Sequence, residues 1–159
     1  ARISTLYEGT TGIQALDLFG RKVLADNGKG FADFIALLMK DAIDMEEEFS
    51  KPLIESIEQW KNITSVIAKK SSDSLDEMGA ASVDYLMYSG YVTVAYFWLQ
   101  MAVTAQQKID AGTSETDFYQ AKIQTASFYF ARILSRTRSL VKSMESGADN
   151  LMSMSIDQF

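Results

Sequence analysis

The sequence predicts an all-α protein, an antiparallel four-helix bundle preceded by a loop and one extra helix. Apolar residues recur at the spacing of one helix face along almost all of the 159 residues. Proline occurs once, and most of the nine glycines fall where one periodic stretch gives way to the next. Helices joined by short connections pack antiparallel, so these stretches favour a bundle.

The first eleven residues lack this periodicity and predict a loop. A first helix is expected from about Gly12 to Asp26-Asn27-Gly28, because Asn and Gly suit the left-handed backbone past a helix end. We expect this helix to lie partly outside the bundle, and a second helix to run from Gly30 to Phe49. The predicted inward faces are Ile13, Leu16, Gly20, Val23 and Leu24, then Phe31, Phe34, Ile35, Leu38 and Ala42.

The third and fourth helices carry start signals. Ser50 is a predicted N-cap, with Pro52 in the first turn, where its missing N–H costs little. Ser74 and Glu77 match a capping box that opens a long helix ending near Gly112. The predicted inward faces are Leu53, Ile57, Trp60, Thr64 and Ile67, then Met78, Leu86, Tyr91, Phe97, Trp98, Met101 and Ile109.

The fifth helix is expected from Thr113 or Ser114 to Gly147. A short tail, residues 149–159, keeps several apolar residues that could dock on the bundle or on a partner. The predicted inward face of the fifth helix is Phe118, Ile123, Ala126, Phe130, Ile133, Thr137, Val141 and Met144.

The composition excludes several kinds of chemistry. The chain has neither Cys nor His, which removes thiol nucleophiles, Ser-His-Asp triads and imidazole metal ligands. A net charge of -6 argues against nucleic-acid binding, which needs a basic face. We expect no signal peptide, because the first residues lack a basic and an apolar region. Cysteine-free composition fits a reducing compartment, so we expect a soluble, cytoplasmic protein.

An uncharged stretch, residues 85–104, is long enough to span a bilayer. It holds four Tyr and two Thr, however, and no basic cluster flanks it closely. We therefore expect a central bundle helix that is buried on most sides, and no membrane partner.

Three clusters have competing interpretations. The run Glu46-Glu47-Glu48 could suggest a metal, but without His, and with consecutive residues pointing apart, a solvated face and no metal site are expected. A basic stretch on the fifth helix could grip a phosphate or be ordinary surface. An aromatic group on the fourth helix could line a cofactor pocket or form core. These two clusters are Arg132, Arg136, Arg138 and Lys142, and Tyr85, Tyr88, Tyr91, Tyr96, Phe97 and Trp98.

The loop Tyr7-Glu8-Gly9-Thr10-Thr11-Gly12-Ile13-Gln14 places a carboxylate just before small residues that open a helix. Backbone N–H groups at a helix start can bind anionic or carbonyl oxygens. A carboxylate beside such donors could be a positioned base. The alternative is a solvated glutamate in a glycine-containing loop.

This loop and its continuation, Ala15-Leu16-Asp17-Leu18-Phe19-Gly20-Arg21-Lys22, closely resemble the C-terminal region of acyl-CoA dehydrogenases. The lead-in Ala1-Arg2-Ile3 is similar too. The resemblance is to the branch with an additional C-terminal helical domain, which includes the methylmercaptopropionyl-CoA dehydrogenase type. The rest of the chain resembles that domain through its helix pattern and its Gly-Ala-Asp-Asn-Leu-Met ending. The resemblance implies that residues 1–28 end the catalytic helical domain and that residues 29–159 form the additional bundle.

In that family a flavin enzyme removes two hydrogens from the α and β carbons of an acyl-CoA thioester. The resemblance implies that Glu8 is the catalytic base and that Thr10, Thr11 and Gly12 approach the FAD. Many relatives carry Gln where this chain has Gly12, so only a backbone contact carries over there.

The resemblance also implies a fragment that is inactive alone and holds no FAD. Its partners would be the remainder of the parent polypeptide and, in the parent, acyl-CoA, with the parent a homo-oligomer. Two alternatives remain: a structural or oligomerisation module with no catalytic role, and a stand-alone bundle for partner binding.

Overall fold

A computed structural model describes residues 10–45 and 48–158, and every regular element in these two stretches is helical, which confirms the all-α prediction. Two of the helices change their hydrogen-bonding pattern along their length. The α-helices are α1 (Thr11–Leu16), α2 (Lys29–Met45), α3 (Ser50–Asp73), α4 (Leu75–Asp110), α5 (Thr116–Phe128), α6 (Thr137–Glu145) and α7 (Asp149–Met152). Helix α1 continues as a π-helical segment, Asp17–Val23, and a 3-10 turn, Ala25–Gly28, and α5 continues as a π-helical segment, Tyr129–Ile133, and a 3-10 turn, Leu134–Arg136. A last 3-10 turn spans Ile156–Gln158.

The longest helix, α4, lies at the centre and contacts α1, α2, α3, α5 and α6. Its neighbours along the chain run antiparallel to it. Towards α3, the hydroxyls of Tyr85 and Thr64 lie 2.7 Å apart and Tyr88 donates to the Ser56 carbonyl. On the side of α5, the Tyr129 hydroxyl donates to the Tyr91 carbonyl at 2.9 Å. The helical bundle is therefore confirmed.

The buried face of α1 differs from the predicted one. Ile13 is 68% exposed and Leu16 is 43% exposed, whereas Ala15 and Phe19 are buried. Phe19 meets the Tyr85 ring edge-on, with centroids 4.6 Å apart. The helix approaches α4 through the small Ala15 and through Phe19, which turns the larger aliphatic residues outward. Phe19 and Val23 bury in the same core as the bundle.

The inward face of α3 is confirmed, because Leu53, Ile57, Trp60, Thr64 and Ile67 are all buried. Ile35, Leu38 and Ala42 of α2 are buried as well, whereas Phe31 is half-buried and Phe34 is 38% exposed. The predicted N-cap of α3 is wrong. Phe49 occupies that position and Ser50 is the first helical residue. Phe49 stacks on Phe130 with ring centroids 4.8 Å apart, so a core contact sets the start of α3.

The buried line of α4 also differs from the predicted one. Phe97 is 52% exposed and Met101 is 37% exposed. The other five predicted inward residues are only half-buried. Small residues let helices approach closely, so Ala81, Ala95 and Ala102 share the contact line with larger residues, while Phe97 and Met101 lie outside it. The buried residues follow an alternating spacing of four and three: Ala81, Tyr85, Tyr88, Val92, Ala95, Leu99 and Ala102.

The fifth predicted helix is confirmed in extent but not in regularity. Its π-helical segment and 3-10 turn shift the register, so Leu134 faces the core and Ile133 is half-buried. Phe118, predicted to face inward, is 54% exposed. The described tail does not bury its apolar residues, since Ile156 is 87% exposed and Leu151 is 64% exposed.

The predicted capping box is only half formed. The Ser74 hydroxyl accepts the Asp76 N–H at 3.3 Å. Glu77 instead reaches across to the end of α6, where its carboxylate accepts the Ala148 N–H at 3.2 Å and lies 3.9 Å from the Lys70 ammonium. Lys70 also donates to the Glu145 carbonyl at 3.1 Å. We call these contacts the Lys70–Glu77 clamp; they fasten the end of α6 to the junction of α3 and α4.

Candidate functional site

The predicted catalytic residue, Glu8, lies outside the described residues. The three predicted cofactor-binding residues, Thr10, Thr11 and Gly12, lie together at the start of α1 and are exposed. The Thr10 carbonyl accepts the Gln14 N–H at 2.8 Å, which is the first hydrogen bond of the helix. A Cβ built on Gly12 would find no atom within 4 Å.

Within the described residues, the start of α1 has backbone donors that the helix itself does not pair. The N–H groups of residues 11–13 precede the first helical hydrogen bond and have no acceptor within the helix. The Thr10 and Thr11 side chains are exposed beside them. The open space at Gly12 lets an outside atom approach the backbone directly. Whether these residues contact a cofactor stays a prediction.

Packing along α1 fixes where this start lies. Phe19 anchors the helix on Tyr85, and an Asp17–Arg21 ion pair of 2.9 Å spans one turn of its surface. At the other end the chain reverses through Asp26, Asn27 and Gly28, all with positive φ. The Gly30 N–H donates to the Asp26 carboxylate at 3.2 Å across this turn. The predicted left-handed ending is confirmed, and it brings α2 back beside α1.

In the described part of the chain, the acidic run Glu46-Glu47-Glu48 does not contribute to a metal centre. Glu46 and Glu47 lie outside the described residues, and Glu48 is exposed. Within the described stretches, no group of three His, Cys, Asp or Glu residues is placed to hold a metal ion.

The residues of the basic stretch lie on the solvent-exposed surface. Arg132, Arg136, Arg138 and Lys142 are all exposed. Arg138 borders a pocket of about 230 Å³ between α3 and α6, and Glu55 lines the same pocket. A carboxylate beside the guanidinium weakens any attraction for a phosphate. The arrangement supports the surface interpretation.

The aromatic group divides between core and surface. Tyr85, Tyr88 and Tyr96 are buried, whereas Phe97 is exposed. Burial raises the pKa of Tyr85 to about 12. The Tyr96 hydroxyl donates to the Asp41 carboxylate at 2.6 Å and accepts from the Gln100 amide at 2.7 Å, and burial raises its pKa to about 12. These tyrosines hold helices together as neutral hydrogen-bonding groups.

Across the described residues, no helix meets the length and hydropathy needed to cross a bilayer.

An apolar groove along α4 was not predicted from the sequence. The groove has a volume of about 440 Å³, and α1 and α2 form one of its walls. A second depression of about 330 Å³ on the other side of the same α4 residues is bordered by Tyr129 and Ile133. Three residues, Leu86, Gly90 and Val94, line both depressions. We call the first of these depressions, between α4 and the wall formed by α1 and α2, the α4 groove.

A sequence signal for the α4 groove did exist. A second set of α4 positions also alternates by four and three, and it is exposed: Val83, Met87, Gly90, Val94, Phe97 and Met101. A helix with two such lines is apolar on more of its circumference than one packed face requires. Because the uncharged stretch is predicted to be buried on most sides, the sequence does not predict this exposed line of residues.

Comparison with known proteins gives one family. Residues 29–155 match the model of the family described as "Acetyl-CoA dehydrogenase C-terminal like". The chain is 30% identical over 162 aligned residues to the broad-specificity linear acyl-CoA dehydrogenase FadE5 of Mycobacterium tuberculosis; the alignment covers 91% of this chain and 26% of that protein. It is 28% identical over 162 residues to the 3-methylmercaptopropionyl-CoA dehydrogenase of Ruegeria pomeroyi, covering 98% of this chain and 27% of that protein. The chain thus spans about a quarter of the length of these curated relatives.

Proposed function

The chain belongs to the acetyl-CoA dehydrogenase C-terminal-like family, and we propose that it is the C-terminal part of a flavin-dependent acyl-CoA dehydrogenase. The proposed reaction of the parent is α,β-dehydrogenation of an acyl-CoA thioester. The observation that carries the proposal is the similarity, along nearly the whole chain, to two dehydrogenases about four times as long. Both relatives are named as dehydrogenases of acyl-CoA substrates, which indicates the reaction class.

The proposed division of the chain falls between residues 28 and 29. The family match begins at residue 29, immediately after the left-handed turn at Asp26, Asn27 and Gly28. In this proposal residues 1–28 complete the catalytic helical domain of the parent, and residues 29–159 form the additional bundle. Phe19 and Val23 of the first part bury in the core of the second, so the two parts fold against each other.

Glu8 is the proposed base that takes the α-proton. The α-proton of a thioester is weakly acidic, and burial beside an apolar acyl chain would raise the pKa of the carboxylate toward the operating pH. The Glu8 N–H would hold the thioester oxygen and stabilise the negative charge that develops there. FAD, when bound to the parent, accepts the hydride from the β carbon. The exposed donors at Thr10, Thr11 and Gly12 support a backbone contact with that cofactor.

Replacing Glu8 by Gln in the full-length parent tests the catalytic proposal. Loss of a general base lowers turnover by about 10²- to 10⁴-fold, while FAD content and assembly should stay unchanged. Asp33→Asn, which removes an exposed carboxylate on α2, is the matched control and should leave turnover intact. Full activity of the Gln variant would remove the enzymatic role of this position.

A second candidate is a structural module that only stabilises or assembles the parent, in which residues 29–159 contribute no reacting group. The apolar α4 groove favours it, because such a surface is suited to protein contact. Deleting residues 30–159 from the parent should then break its assembly, measured by light scattering. A deletion that leaves a stable oligomer would contradict this role, whatever the outcome at Glu8.

A further inference from the structure

The α4 groove is an apolar surface feature that the proposed function leaves unused. Its floor is α4 around Gly90 and Val94, and one wall is formed by α1 and α2. A Cβ built on Gly90 would meet no atom within 4 Å, so the α4 backbone is accessible there. Small residues on a helix surface allow another helix to approach closely. The other residues that give the groove its apolar character are Leu18, Val23, Phe31, Phe34 and Leu86.

We propose that the α4 groove binds the apolar face of a helix from the part of the parent polypeptide that precedes Ala1. This inference rests on the proposed function, namely that the chain is the C-terminal part of a longer dehydrogenase. The relatives extend over about four times the length of this chain, so ample polypeptide exists to supply the helix.

The position of α1 favours this occupant over a second copy of the chain. Preceding polypeptide joins the molecule through α1, whose Leu18, Lys22 and Val23 line the groove. A tethered segment is present at an effective concentration of about millimolar, whereas a second copy must associate from dilute solution.

The charge distribution defines the chemistry of the occupant. Between Asp84 and Lys108 the α4 sequence carries no formal charge, and among the described residues Lys22 is the one charged residue that lines the groove. The helix that fits is therefore apolar along its buried face, with its polar residues directed away from α4. An acidic residue at the edge of that face would meet Lys22.

Two glycine substitutions on α4 test the proposal, because Gly90→Leu should change Tm in opposite directions in the isolated chain and in the parent. Gly79 and Gly90 are both exposed helical glycines with open space at Cβ, but Gly79 does not line the groove. In the isolated chain, Gly79→Leu and Gly90→Leu should each raise Tm by about 2 °C, because Leu is the better helix former. In the full-length parent, Gly79→Leu should still raise Tm, whereas Gly90→Leu should lower it by several degrees, because its side chain would displace the bound helix.

The absence of cysteine from this chain permits a second, independent measurement. A single cysteine at Val94 should be alkylated at least tenfold more slowly in the parent than in the isolated chain, with peptide mass spectrometry identifying the site. A cysteine at the exposed Gln107 is the control and should react equally in both.

Equal alkylation of Val94→Cys in both proteins would overturn the proposal. Protection of this cysteine in the isolated chain that grows with protein concentration would also overturn it, in favour of a second copy. Turnover of the same parent preparations reports separately on the proposed function. A protected groove in a parent without dehydrogenase activity would leave this inference standing and remove the other.

Discussion

At Gly147 the backbone conformation and the surrounding space both exclude a side chain. Its φ is 75°, and a Cβ would lie 3.1 Å from both carboxylate oxygens of Glu77 and 3.2 Å from the Lys70 ammonium. The residue therefore does two things. It lets the chain leave α6 in a left-handed conformation, and it brings the backbone close enough for the Lys70–Glu77 clamp to form.

Gly147→Ala should lower the free energy of unfolding of the isolated chain by about 2–4 kcal/mol. The added methyl group requires a strained φ and also pushes Glu77 away from the Ala148 N–H. Gly112→Ala is the matched control, since Gly112 has the same φ of 75° but no atom within 4 Å of its Cβ. The control should cost only about 1 kcal/mol. Denaturant unfolding measures both, and equal losses would show that the clamp contributes nothing.

Buried tyrosines set the alkaline limit of stability. Burial raises the pKa of Tyr85 and of Tyr129 to about 12, from an ordinary value of 10.0. Because the folded-state pKa lies above the unfolded one, the stabilisation is fully present below pH 10 and is lost as pH rises through about 12.

We therefore expect the unfolding free energy to fall between pH 10 and about 12, with tyrosinate absorbance appearing together with unfolding. Tyr85→Phe should reduce this fall, while costing about 1 kcal/mol at neutral pH through the lost bond to Thr64. The assignment would be contradicted if the tyrosinate absorbance that Tyr85→Phe removes appeared while the chain stayed folded.

At the scale of elements, the sequence predicted where helices lie better than which way they face. The left-handed turn at Asp26, Asn27 and Gly28 and the face of α3 were predicted because glycine chemistry and large aliphatic residues mark them. The faces of α1 and α4 were not, because their contact lines use Ala15, Ala95 and other small residues that hydrophobic patterns weigh lightly. Phe97 and Met101 are large and apolar but exposed, as the sequence did not indicate.

Two substitutions on α4 separate the observed face from the predicted one. Leu99 is fully buried and Phe97, two residues earlier, is 52% exposed. Leu99→Ala should cost about 2–5 kcal/mol because it leaves a cavity, whereas Phe97→Ala should cost less than about 1 kcal/mol in the isolated chain. Unfolding of both variants in denaturant provides the measurement. A larger loss from Phe97→Ala would support the face predicted from the sequence.

For the site, the sequence predicted a helix start near Gly12, and α1 begins at Thr11. It could not predict what Thr10, Thr11 and Gly12 would contact, because these residues are exposed and take no part in the described core. Such residues acquire a function only through groups supplied by another part of a protein. The role proposed for them therefore comes from the resemblance and not from packing within the chain.

The described residues combine a well-formed core with an exposed helix start at Thr10, Thr11 and Gly12. Core tyrosines, the Lys70–Glu77 clamp and the α3–α4 contact hold the bundle, while the start of α1 and the α4 groove remain open. We therefore expect the bundle to fold without a cofactor. Its proposed contribution to catalysis, in contrast, depends on the parent polypeptide that surrounds these open surfaces.

The isolated chain should therefore fold but bind FAD weakly or not at all. The few donors at the start of α1 can contact one edge of a flavin, and a single polar edge contributes little against the entropy lost on binding. Equilibrium dialysis with FAD should find no stoichiometric complex at micromolar concentrations, while far-ultraviolet circular dichroism shows a folded helical protein. The full-length parent, treated identically, should retain FAD. A tight complex of the isolated chain, lost on shortening it to residues 29–159, would mean that the first helix and its loop suffice for the cofactor site, contrary to the division of labour proposed for the parent.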